Sequence, residues 1–534
     1  MKMKKIVFPL MAATLLASCG TVRDDNVDVE GKSVLLVATY DGGLGSNWLS
    51  ELGKRFADKY KDVSFEDGKT GVVVRVLPNR AYNGSDLYNG ALQQDVYFTE
   101  DVSYFDHVNK GNFLDISDIV TEKLTDFGET KSIEDKLSSD MKEYLTAKDG
   151  KYYAIPFYDG LYGLIYDYDL FEEQNYFFSP SGTFVDSKTA KKSAGPNGKE
   201  GDYDDGLPST YEQFYKLIDA IEGDGKNAFS YSSSLNNGLP YVSRALTSYW
   251  SDFEGYANTR AAYSLSGTIP LVTSIENGVA TTENTAINDD NGYLVQKQEG
   301  KLKALQFMKK ITSHMDSTAG TVDEAQSNFI TNYSLHSDQY AMLFDGAWWE
   351  NEATDTFNTV QGMYGTGKAD KRYGFMSIPK ADASKIGEKQ TLVSQNNSYC
   401  FISSKTKLPK LAKLFFQFAH TDSNLSAFTA ELSLTRALSY ELTDSDKEKA
   451  TFYANNLIDV KNDSNIFTPV SSNSVVINNS STFNIETWAW GTTVNGTDQT
   501  NPYVAFSSSS GLTPEEYFNG MSASAKTKWA TLKK

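Results

Sequence analysis

From Ser33 onward the sequence alternates short apolar runs with longer stretches of helical periodicity, and few architectures accept that order. Ser33–Thr39 (SVLLVAT) is a β-branched run of buried-strand type. Trp48, Leu49, Leu52, Phe56 and Ala57 then recur at the spacing of one helix face. Val72–Leu77 predicts a second strand and Asp95–Phe98 a third, and Lys151–Pro156 and Gly163–Tyr166 continue the supply. Tyr211–Ile221 and Leu408–Phe418 read as amphipathic helices. Strand–helix–strand order with short connections predicts an α/β fold with a largely parallel sheet. At about 150 residues per domain, 534 residues imply two to four cores.

Charge narrows the function. The chain carries 50 Lys+Arg against 69 Asp+Glu, a net charge of −19, which disfavours nucleic acid and anionic lipid as partners. Two cysteines exclude a disulfide scaffold, and four histidines speak against a His-rich metal site; no cofactor is expected. Thirty-two tyrosines exceed the needs of a core, and surplus amphipathic rings suit polar binding sites.

The N-terminus reads as an address. Lys2, Lys4 and Lys5 precede an apolar run from Ile6 to Leu16, too short to span a bilayer, which is a secretory signal. Leu16-Ala17-Ser18-Cys19 resembles the bacterial lipobox, in which cleavage before the cysteine leaves it carrying lipid. Residues 1–18 are then a signal peptide and 19–32 a polar, lipidated tether. Cys19 so modified leaves Cys400 alone, with no intrachain disulfide. The mature protein is expected to be extracytoplasmic, lipid-anchored to the cell membrane. Residues 179–208 and 284–292 lack periodicity and read as surface insertions; neither has carboxylates at the offsets of a calcium loop.

A set of motifs in order carries a resemblance to a known family. Asp149-Gly150-Lys151-Tyr152-Tyr153-Ala154-Ile155-Pro156, GLIYDYDLF at 163–171, LPSTYEQF at 207–214, AMLFDGAWW at 341–349 and RYGFMSIP at 372–379 follow the lipobox and Asp95–Phe98. Together they resemble the extracellular solute-binding proteins of sugar ABC importers over residues 33–440. The resemblance implies a two-lobed periplasmic-binding-protein-like α/β fold, with strands crossing between the lobes and a ligand cleft between them. Carried over, the crossings fall near Ile155–Tyr158, Val393–Ser398 and Thr435–Ala437. Lobe one is then 33–156 plus 394–434, and lobe two 157–393 plus 435–534. It also implies a carbohydrate ligand, an oligosaccharide by expectation, permease subunits of an ABC importer as partners, and a monomer.

Ligands of open α/β sheets sit at the carboxyl ends of strands, so the candidates are sought there. Tyr40, Asp41, Asn47 and Trp48 follow the first strand, where Gly42 and Gly43 let backbone approach a ligand. Glu100 and Asp101 follow the third, and Tyr158 and Asp159 stand at the first crossing. Trp348, Trp349 and Glu350 follow a later strand: one tryptophan is expected in the core, the other against the C–H face of a sugar. Asn396, with Asn397 and Ser398, stands at the return crossing. Trp250, Trp488, Trp490 and Arg436 are lesser candidates that suit packing as well. An anionic ligand would call for Arg or Lys at these positions, whereas Asp, Glu, Asn, Tyr and Trp suit a neutral polyhydroxyl one.

The rival readings are a cell-surface glycoside hydrolase and a binder of a non-sugar solute. A hydrolase needs two carboxylates across the scissile bond, and acidic residues are abundant. No G-x-S-x-G, H-E-x-x-H or phosphate-binding G-x-x-x-x-G-K-[ST] motif occurs, and the expectation is a binder without catalytic residues.

Overall fold

The computed structural model describes residues 28–78, 93–233, 241–315, 319–335, 339–395, 397–507 and 511–533. The signal segment, Cys19 and Asn396 lie outside the described residues. Two sheets organise the molecule. The first has the order β2-β1-β3-β12-β4, built from β1 (Ser33–Thr39), β2 (Val72–Pro78), β3 (Val96–Thr99), β4 (Ala154–Pro156) and β12 (Tyr399–Ile402). The second, β10-β5-β9-β6, comprises β5 (Tyr162–Asp167), β6 (Asn227–Ser230), β9 (Tyr340–Gly346) and β10 (Tyr373–Phe375). A hairpin of β7 (Gly267–Glu276) and β8 (Val279–Ile287) and a ribbon of β11 (Thr391–Val393) with β13 (Asn465–Phe467) stand apart.

The sheets are mixed, not largely parallel. β1 pairs in parallel with β2 and β3, but β12 runs against both β3 and β4, and β5 runs against β9 and β10. The reason is connectivity. β4 leaves the first sheet and β12 comes back beside it through the same narrow passage, so the two pair antiparallel.

Helix α1 (Asn47–Lys59) covers the first sheet with Trp48, Leu49, Leu52 and Phe56, the periodic face of the sequence. Gly53 lets it lie close: a Cβ there would come within 3.0 Å of Val74. Helix α2 (Ser139–Leu145) follows before β4, and α3 (Tyr211–Gly223) buries Phe214, Leu217, Ile218 and Ile221 beside the second sheet. Helix α4 (Tyr241–Ser264) is kinked at Gly255, whose φ of 73° lies in the left-handed region. Then come α5 (Val322–Leu335), the short α6 (Trp349–Glu352), α7 (Pro409–Ala419), α8 (Asp422–Leu432), α9 (Phe452–Asn462) and α10 (Pro514–Leu532). Phe415 of α7 meets Phe56 of α1 edge-on at 5.1 Å, which returns residues 409–432 to the first sheet.

Three extended segments join the two halves by backbone bonds. Phe157 N donates to Ser398 O at 3.0 Å, Asp159 N to Thr435 O at 3.0 Å, and Gln395 N to Gly160 O at 2.9 Å. Arg436, bridged to Tyr158, is fully buried in this knot. Its Nε donates to Phe157 O at 2.6 Å, and its guanidinium lies over Phe157 and Phe428.

Residues 284–287, read as part of an insertion, are the end of β8. Asn277 and Gly278 both have positive φ, the turn that a two-residue hairpin requires, and Thr-rich alternation flanks it. Residues 179–208 contain no helix or strand and fold as an ordered coil.

Candidate ligand-binding site

The turn after β9 sets the site. Gly346 has no side chain, and the Trp348 ring lies directly over it, so a Cβ at 346 would clash at 2.4 Å. The next residue starts α6 on the opposite side. Trp349 is 0% exposed and packs among Phe329, Phe357, Tyr373 and Tyr453 at 5.0–5.8 Å. Trp348 is 7% exposed and meets Tyr158, Tyr162 and Tyr241 edge-on, at 6.4, 5.1 and 6.1 Å. These tyrosines come from the crossing segment, the start of β5 and the first turn of α4. The three contacts are edge-on rather than stacked, and with Gly346 against the ring they leave only a small part of the indole exposed.

Across from Trp348 stands the loop after β1. Tyr40 and Asp41 are half-buried, and the Tyr40 ring folds over Gly42. A Cβ on Gly43 would lie 2.8 Å from Glu352 Oε1 and 3.0 Å from Trp348 Cδ1. The Asn351 amide closes this approach, donating to Gly43 O at 2.7 Å and Leu44 O at 3.0 Å. The β1 loop and the β9 turn, which belong to different sheets, are thus in direct contact.

Carboxylates ring the same place. Tyr158 OH donates to Glu100 Oε1. Burial pushes the Glu100 carboxyl up to about 7, the tyrosine bond opposing and the charges of Asp101 and Glu352 adding. Asp101 is exposed in a left-handed turn at φ 55°. Gln326 on α5 donates to both Asp345 Oδ2 (3.0 Å) and Glu352 Oε2 (2.9 Å), and burial holds Asp345 well above the carboxylate range. Arg244 on α4 donates to Tyr162 OH at 2.8 Å and pairs with Glu486 at 3.1 Å.

Several sequence candidates sit elsewhere. Trp48 is 3% exposed and lies between Phe98, Phe157 and Phe428 at 5.0–5.6 Å, because its helix face turns onto the sheet. Asp159 is buried in the crossing knot, where Thr435 Oγ1 donates to it at 2.9 Å and Lys461 stands 3.6 Å away. Glu350 is buried on α6 and takes the Thr451 hydroxyl at 2.7 Å. Trp48, Asp159, Trp349 and Glu350 are therefore packing and crossing residues, not open to a ligand. Asn47 is exposed at the start of α1, Asn397 is exposed, and Ser398 is buried beside Tyr158. Trp250, Trp488, Trp490 and Arg436 are all buried.

A family model described as bacterial extracellular solute-binding protein matches residues 42–424. The chain belongs to that family. Solved structures share its fold over nearly its whole length. The apo form of RafE from Streptococcus pneumoniae matches at 14% identity and TM-score 0.52, covering 95% of this chain and 100% of its own. Maltose-bound MalE3 of T. maritima matches at 12% and 0.53, covering 93% and 99%. The GacH receptor of Streptomyces glaucescens, solved unliganded and with acarbose, matches at 13% and 0.52, covering 93% and 99%. No curated protein matches by sequence. The chain is thus a two-lobed solute-binding protein of the importer type, and its family binds rather than transforms its solute. Among the described residues no helix is long and apolar enough to cross a membrane.

Sequence reading missed Tyr162, Tyr241, Arg244, Gln326 and Glu352. Tyr162 precedes the Gly163–Phe171 motif by one residue and was within reach. The others arrive through α4, α5 and α6 packing, which no local pattern encodes.

Proposed function

We propose that this solute-binding protein captures a neutral carbohydrate in the cleft between lobe one (33–156 plus 394–434) and lobe two (157–393 plus 435–534). Anchored through Cys19 and acting as a monomer, it would deliver the sugar to the permease of an ABC importer. The observation that carries the reading is Trp348, an aromatic face held by three tyrosine edges against the Gly43 loop of the opposite lobe. A flat ring suits the C–H face of a pyranose, and Asp41, Glu100, Asp101 and Glu352 offer acceptors for its hydroxyls. Tyr40 and Tyr158 complete the wall, and Asn47 stands at the rim. RafE and MalE3, whose structures hold raffinose and maltose, share the fold and support the ligand class.

One observation favours the hydrolase reading: a cleft carboxyl raised to about 7, the property of a general acid. A hydrolase needs in addition an ionised carboxylate across the bond, and burial holds Asp345 well above the carboxylate range, so Asp345 does not supply one. The first test is a thermal-shift screen of the protein against raffinose, maltose, chitin and xylan oligosaccharides. A bound sugar raises stability by RT ln(1 + [L]/Kd), about 2.7 kcal/mol at a hundredfold excess over Kd. A response to charged solutes alone would place the ligand in another class.

A further inference from the structure

Helix α4 runs from the cleft to a place remote from it. Tyr241 in its first turn meets Trp348. Further along, the Arg244 carbonyl accepts Gln395 Nε2 at 2.7 Å, Ser248 Oγ accepts Val393 N at 3.0 Å and Asp252 Oδ1 accepts Thr391 N at 3.3 Å, so the helix lies alongside the return segment. Gly255 follows, about 21 Å along the helix from Tyr241 at 1.5 Å per residue. A Cβ there would meet open space, so the glycine is needed for its left-handed φ and not for packing. The bend is held in place: the buried Thr259 hydroxyl donates to Gly255 O at 2.9 Å and lies 2.9 Å from Ser251 Oγ.

Past the bend, Tyr256 and Arg260 stand four residues apart on one helix face, opposite Asp140 and Glu143, three apart on a face of α2. Arg260 Nε lies 3.1 Å from Asp140 Oδ1 and its Nη2 2.7 Å from Glu143 Oε2. Tyr256 OH donates to Asp140 Oδ2, and Ser472 Oγ to Glu143 Oε1 at 3.0 Å. The two helices belong to different sheets. Helix α2 packs on β4 of the first, and its Leu145 O accepts the Tyr104 hydroxyl at 2.7 Å; α4 packs on β5 and β9 of the second. One guanidinium thus spans two carboxylates of the other half. The Asp140 side chain is only 14% exposed, so that pair is partly shielded from water.

We propose that Arg260, gripping Asp140 and Glu143, is an ionic latch that holds the two lobes together in the ligand-free chain, at the end of α4 remote from Trp348. It rests on the proposed capture of a solute between two moving lobes, but it makes no contact with that solute. The latch and the Asn351–Gly43 contact are made in the same structure, so the latch favours the form in which the β1 loop touches α6. Partly exposed ion pairs each shift such a balance roughly 1.4- to 5-fold, and salt weakens them. A larger fraction of the chain then stands ready to bind, which raises apparent affinity by the same factor. Gly255 has its role here: without the bend, Arg260 would continue along the axis of α4 instead of turning to α2.

The test is small-angle scattering of the ligand-free full chain at about 0.01 M and 1 M NaCl, where charges are felt over about 30 Å and 3 Å. The parent should show the larger radius of gyration at 1 M. Arg260→Gln should show that larger radius already at 0.01 M, with no further change on adding salt. Asp140→Asn and Glu143→Gln placed on top of Arg260→Gln should add nothing, because their partner is gone. Glu143→Gln alone, at an exposed position that leaves the Asp140 pair in place, should expand the chain less than Arg260→Gln. A radius in Arg260→Gln equal to the parent's at 0.01 M, or a salt response undiminished in it, would overturn the latch. No sugar enters the experiment, so a failed latch leaves the cleft reading intact, and a failed sugar screen leaves the latch to be decided by scattering.

Discussion

Trp348 and Trp349 are neighbours with opposite surroundings, and the turn at Gly346 decides which is which. The sequence could say that one packs and the other is available, but not their order, because that depends on the angle at which α6 leaves β9. Trp349→Ala should lower stability by about 3–5 kcal/mol, the range for a fully buried aromatic, as read by denaturant melts. Glu100 gives a pH dependence whose sign follows from its surroundings. Burial raises its carboxyl from the ordinary 4.5 to about 7, and on the proposed function opening of the cleft would return it to water. The closed form therefore holds the extra proton, and its advantage is full below about pH 4.5 and lost as pH rises through about 7. Sugar affinity should fall on the order of tenfold between about pH 5.5 and 8, and Glu100→Gln should flatten the profile in calorimetry. A flat profile in the parent would mean that Glu100 stays buried when the cleft opens.

Elements were legible where burial is one-sided. β1, α1 and α3 follow from β-branched runs and 3.6-residue periodicity, because each packs one face on its own sheet. The end of β8 was read as part of an insertion because its exposed residues lack an apolar stripe, although Asn277-Gly278 carried the turn signal. The direction of β12 was invisible, since it depends on where β4 leaves the sheet. The contact between the β1 loop and α6 was likewise beyond local pattern. Gly43→Val would drive a side chain into Trp348 and Glu352, and overpacking of this kind costs about 1–3 kcal/mol. On the proposed function this contact is made as the lobes close, so sugar affinity should drop at least about tenfold while the ligand-free melting temperature holds. A parallel loss of melting temperature would show that the contact serves folding instead.

At the scale of the molecule, two sheets, three crossing segments and a family match over residues 42–424 describe a two-lobed solute-binding protein. Motif order showed this architecture, while the site emerged only when α4, α5 and α6 were brought beside the β1 loop. The proposed tether is separable from it. Cys19→Ser should leave the fold intact and move the protein from the membrane to the soluble fraction on cell fractionation; retention would point to another anchor. The central claim, that the cleft holds a sugar against Trp348 and releases it unchanged, is met most directly by titration calorimetry. The parent and Trp348→Ala would be titrated with the sugar giving the largest thermal shift, and the recovered sugar chromatographed. The account predicts at least about thirtyfold weaker binding in Trp348→Ala, roughly 2 kcal/mol, with intact sugar recovered from both. Equal affinities, or hydrolysis products from the parent, would contradict it.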